Sequence, residues 1–93
     1  MQFDAYISDL DRQIKKYWAL PEWLARGQLT ARAMVRIDSS GQVVEKRITR
    51  SSGNSTYDSL ILKAIEDATP FPVPPEKFQG ILGSEGVIFG FPD

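Results

Sequence analysis

The hydrophobic period of this chain switches between that of a helix and that of a strand, and the switches leave few ways to fold it. Phe3, Ile7, Leu10, Ile14 and Tyr17 recur at alternating steps of four and three, the spacing of one apolar helix stripe. Asp4, Asp9 and Asp11 lie early in that segment and Lys15 and Lys16 late, as a helix dipole favours, and Pro21 ends it. From Leu29 the period becomes two: Leu29, Ala31, Ala33, Val35 and Ile37 share one face of a strand, and Thr30, Arg32, Met34, Arg36 and Asp38 the other. Turn chemistry in Ser39-Ser40-Gly41-Gln42 then returns the chain as a second strand, VVEKRITR. Strict alternation there would put Val44 and Ile48 on one face and Val43 on the other, so a bulge is expected that brings Val43 and Ile48 to the core together. Helical spacing resumes at Tyr57, Leu60, Ile61, Ala64, Ile65 and Ala68, with Ser55 and Asp58 expected to cap the helix and Leu62 off its apolar stripe. The proline-rich TPFPVPPEKF stops that helix and reads as an extended surface strap. The last segment, Ser84 to Phe91, predicts a third strand with Val87, Phe89 and Phe91 on one face.

The order is thus helix, strand, strand, helix, strand. Two amphipathic helices must bury their stripes, and the hairpin offers one apolar face to receive them. The fold class expected is therefore α+β: a two-layer sandwich with two helices packed on one face of a three-stranded antiparallel sheet. If the second helix is a crossover, strand three runs parallel to strand two and antiparallel to strand one, which places strand one in the centre. The two edges then differ. Glu45, Lys46, Arg47 and Arg50 guard strand two, whereas strand three has only Glu85 at its start and no charge follows from Gly86 to Pro92. An unguarded edge presents unpaired backbone groups to any other chain. It is either covered, by further chain or by a second copy, or used to accept a partner's strand, and Gly86 and Gly90 would let another backbone approach closely.

Composition removes most chemistry. Ninety-three residues support one domain. With no cysteine and no histidine there is no disulfide, no thiolate, and neither the commonest general base nor the commonest metal ligand. Ser51 and Ser52 lack the G-x-S-x-G setting of a nucleophile, and Asp38, Glu45, Glu66 and Asp67 read as solvated surface carboxylates. No enzyme activity, metal or cofactor is expected. The step RSSGN before a helix has the backbone for an anion but is explained by turn and cap alone. Arg32, Arg36, Arg47 and Arg50 with Met34 offer an alternative function, a nucleic-acid or anion-binding sheet face, although no aromatic residue lies on that face to stack a base. A net charge of -1 supplies no global field for nucleic acid, and no apolar run approaches the roughly 20 residues of a membrane span.

Three stretches taken together resemble a known family: YWALP after the first helix, VRIDSSGQVVEKRITRSSGNSTYDSLILKAIEDATPFPVPPEKF through the middle, and VIFGF at the end. In this order the D-x-x-G turn, the R-S-S-G-N step, the aromatic-Asp pair and P-F-P-x-P-P are similar to the TonB/TolA C-terminal domain family, with W-x-x-P and the VIFGF ending leaning to the TolA-like branch. The resemblance implies that residues 1–93 are a single periplasmic domain, excised from a longer protein tethered to the inner membrane. It implies energy transduction from inner-membrane motor proteins, contacted through the missing N-terminal part, to outer-membrane receptors or periplasmic envelope proteins, supporting transport or envelope integrity. Partners would pair an extended segment along the last strand, so the expected recognition residues are Ser84, Glu85, Gly86, Val87, Ile88, Phe89, Gly90 and Phe91. The same edge would allow an edge-paired or swapped dimer at high concentration, and no nucleic acid is implied.

Overall fold

Strand one does lie at the centre. The computed structural model describes residues 3–92, in the order α1 (Phe3–Lys16), α2 (Glu22–Ala25), β1 (Ala31–Ile37), β2 (Val43–Arg50), α3 (Ser55–Asp67), α4 (Glu76–Ser84) and β3 (Val87–Phe91). The sheet order is β2-β1-β3, and β1 is antiparallel to both neighbours. The fold is α+β, as the periodicity requires. Ala31, Ala33, Val35 and Ile37 of β1 and Phe89 and Phe91 of β3 are buried against Leu10 and Ile14 of α1 and Tyr57, Ile61 and Ile65 of α3. The stripe of α1 is turned slightly from the one expected. Tyr6 is buried and Tyr17, just past the helix, is 47% exposed. Tyr6 can be buried because its hydroxyl donates to the Pro72 carbonyl at 2.7 Å.

The expected bulge is present. Ile37 pairs with Val43 and Arg36 with Glu45, so Val44 has no opposite residue. Val44 is accordingly exposed, whereas Val43 and Ile48 both pack on the core. The hairpin turn is a three-residue loop with Gly41 at φ +90°, and the Asp38 carboxylate accepts from the Ser40 amide, the Ser40 hydroxyl and the Gln42 amide.

Three local expectations are corrected. Asn54, not Ser55, caps α3, accepting from the Tyr57 amide at 3.0 Å. Asp58 instead reaches back to the Ser52 amide and to the hydroxyls of Ser51 and Ser52, fastening the loop before the helix. The proline strap is extended only as far as Pro75, burying Phe71 and Pro74, with the Phe71 amide donating to the Gly41 carbonyl at 2.9 Å. After Pro75 the chain forms α4, which buries Leu82 and half-buries Phe78 one turn earlier. Gly80 and Gly83 mask this helix in the sequence, since glycine lowers helix propensity by about 1 kcal/mol per residue. Ser84 therefore ends a helix and does not begin a strand. Glu85 and Gly86 form the turn out of it: both amides donate to the Ile81 carbonyl at 2.9 Å, with Gly86 in the left-handed region at φ +78°.

Candidate functional site

One edge of β3 is free among the described residues, and the hairpin determines which backbone groups it presents. The Asp38 amide donates to the Gln42 carbonyl, so at that rung the first strand of the hairpin turns its backbone toward the second. Alternation along β1 then turns Arg36, Met34 and Arg32 toward β2, and Val35, Ala33 and Ala31 toward β3. Val87, Phe89 and Phe91, which stand opposite those three, direct their N–H and C=O groups inward. Ile88 and Gly90 direct theirs outward. Of the expected recognition residues, Val87, Phe89 and Phe91 thus serve the core and the sheet. Ile88, with its side chain 59% exposed, and Gly90 form the open edge. Ser84, Glu85 and Gly86 lie in the helix end and turn that lead into it.

The edge is also the floor of a groove. Ile7, Ser8, Asp11, Arg12 and Lys15 of α1 wall a space of about 520 Å³ against Ile88, Phe89 and Gly90. Lys15 pairs with Asp11 at 2.9 Å and its ammonium sits 4.7 Å from the centre of the Phe91 ring. Phe91 in turn meets Trp18 edge-on at 5.0 Å, and Trp18 meets Tyr57 at 5.5 Å. These contacts tie the end of β3 to the wall of α1. Sequence reasoning missed the α1 wall, because helical periodicity identifies the face that is buried but not the sheet edge beside which the helix will lie.

The four arginines of the open face are not equivalent. Arg36 reaches Glu45 at 2.6 Å and the Gly83 carbonyl at 2.8 Å, and Arg47 reaches the same Glu45 at 3.4 Å. Arg32 and Arg50 stand opposite each other with no acidic partner among the described residues. A cleft of about 320 Å³ opens beside them, bounded by Gly90, Phe91 and Pro92. Two carboxyl groups among the described residues are shifted by the turns they fasten. The Ser40 hydroxyl and the Gln42 amide hold the Asp38 carboxyl below its ordinary range. Burial works against ionisation of Asp58, but the Ser51 hydroxyl and the Ser52 amide and hydroxyl outweigh it and leave that carboxyl lowered too. Both are ionised turn-fastening groups. Among the described residues no three acidic side chains gather as a metal ion would require.

A family profile described as TonB C terminal matches residues 3–83, ending just before β3. No curated protein matches the sequence. Among solved structures, the solution NMR structure of TolAIII bound to a peptide derived from the N-terminus of TolB is similar in fold, with a TM-score of 0.70 at 20% identity. The likeness covers 92% of this chain and 72% of that one.

Proposed function

The chain belongs to the TonB C-terminal family, and from that membership and the geometry of β3 we propose that it is a non-catalytic, partner-binding domain of the cell envelope. In this reading it is the periplasmic end of an inner-membrane-tethered transducer, and it takes an extended segment of an outer-membrane or periplasmic protein as a fourth strand on β3. The observation that carries the reading is the pair of outward residues, Ile88 and Gly90, at an edge with no charged guard and a groove beside it. Their N–H and C=O groups contribute about 1 kcal/mol net per hydrogen bond, so backbone pairing alone gives modest affinity. Side chains of the added strand that point toward α1 would fill the groove and supply the rest. Hydrogen bonds distributed along a strand also share a load, which suits a domain through which force is transmitted.

The test uses proline, which removes one donor. At Ile88 that donor faces outward, so Ile88→Pro leaves the β1–β3 ladder intact. At Phe89 it faces β1, so Phe89→Pro damages the fold. Amide-resolved NMR titration with N-terminal segments of envelope partners, a TolB-type peptide first, should shift Val87 to Phe91 and protect the Ile88 and Gly90 amides from exchange. Ile88→Pro should weaken that binding about fivefold. Unchanged affinity in a folded Ile88→Pro protein would overturn strand addition.

A further inference from the structure

Resting on strand addition at β3, we propose that the added strand carries an acidic side chain opposite Gly90, captured by Arg32 and Arg50, and an apolar one opposite Ile88. Across the open face of the sheet, Arg50, Arg32 and Gly90 form a single rung. Both arginines are exposed and lack an acidic partner among the described residues, while Arg36 and Arg47 share Glu45. Like charges on directly opposed residues repel, and a carboxylate entering the rung would relieve that repulsion. The rung continues outward over a residue with no side chain. Gly90 has no structural need to be glycine: a Cβ there would meet nothing within 4 Å, and its backbone is ordinary strand, outside the left-handed region. Glycine weakens a strand interior. What its bareness provides is an unobstructed path from Arg32 to the residue beyond. Strands are spaced by about 4.8 Å, so an added strand lies about 10 Å from β1. An extended arginine and a carboxylate side chain cover that span together, above the cleft of about 320 Å³ already present at the rung.

The neighbouring rung differs in character. Met34 is buried and Ile88 is 59% exposed, so the apolar surface at this level runs up to the free edge and stops. The added strand would continue it with an apolar side chain. Residues on one face of a strand recur at every second position, whichever way the strand runs. The recognition pattern is therefore one acidic and one apolar residue separated by a single position, and that intermediate side chain points to the α1 groove.

A displayed library of random nine-residue peptides, selected on the domain, tests this directly. Binders that protect the Ile88 and Gly90 amides should be enriched in Asp or Glu two positions from an apolar residue. Changing that acid to its amide should weaken binding about fivefold. With Arg32→Glu and Arg50→Glu combined, selection should favour Lys or Arg at the same position. Gly90→Val, which the open space allows to fold, should still bind but lose the acid preference, because its side chain blocks the path. Binders that protect these amides with no acid preference overturn the inference and leave strand addition standing, as does a preference that survives the arginine reversals. If no binder protects these amides, both fall. Tighter binding of a single-stranded oligonucleotide than of any peptide at the Arg32–Arg50 rung would assign the rung to nucleic acid instead and overturn the inference.

Discussion

At the scale of the residue, a few backbone positions carry constraints that no other side chain meets. Gly86 is the clearest. It takes φ +78° at the exit from α4, and a Cβ there would sit 2.6 Å from the Val35 carbonyl and 2.8 Å from Arg36 Cγ. Gly86→Ala should therefore destabilise the domain by more than about 1 kcal/mol in urea unfolding. Gly90→Ala should be neutral or slightly stabilising in the same experiment, since only strand entropy is affected. Tyr6 makes a pH prediction. Burial pushes its phenol from the ordinary 10.0 up to about 12. A raised folded-state value means that stability is complete below pH 10, where both states keep the proton. It is lost as pH rises toward 12, where the unfolded chain ionises first. Urea midpoints followed through that range should fall, and Tyr6→Phe should flatten the tyrosine contribution. An identical slope in the variant would mean that other groups govern the alkaline limb.

At the scale of the element, the β2 bulge decides which of two adjacent valines matters. Val43 packs on the core opposite Ile37, whereas Val44 is extra to the ladder and 53% exposed. Val43→Ala should cost about 1–2 kcal/mol and Val44→Ala less than about 0.5 kcal/mol by denaturant unfolding. Equal costs would mean that β2 pairs in strict alternation. Helix α4 shows the opposite relation between sequence and structure. Its nine residues carry two glycines, and tertiary burial of Leu82, fully inaccessible to solvent, overrides that weak propensity.

At the scale of the whole molecule, the two sheet edges have opposite characters. The outer edge of β2 is broken by register shifts at both ends and carries Glu45, Arg47 and Arg50, devices that discourage pairing. The outer edge of β3 has neither bulge nor charge and is bordered by a groove. Anything that binds the folded domain and not the unfolded chain stabilises it, so a strand peptide at a hundred times its dissociation constant should stabilise the protein by about 2.7 kcal/mol. Thermal unfolding with and without peptide reads this as a raised Tm. Self-association, where it occurs at high concentration, should use the same edge. A concentration-dependent increase in size by light scattering should therefore be suppressed by saturating peptide and by Ile88→Pro. Dimers indifferent to both would be built through another surface.

The element types and their faces were legible in the sequence wherever a periodic run was long enough. Ala31 to Ile37 alternates cleanly, and Tyr57 to Ala68 repeats at helical spacing, so β1 and α3 follow from burial, and the central place of β1 follows once α3 is taken as a crossover. Even the bulge could be anticipated, because Val43 and Ile48 cannot both reach the core without it. The candidate edge was legible as a charge-free terminal run, but its limits were not. Ser84, Glu85 and Gly86 look like strand in isolation and become helix end and turn only because Leu82 has a core to enter. Which residues of β3 face outward, which side of α1 walls the groove, and which arginines lack an acid among the described residues depended on register and on the packing of segments distant in sequence. Local periodicity records what must be buried. Only the assembled fold decides which backbone groups and charges are left for a partner.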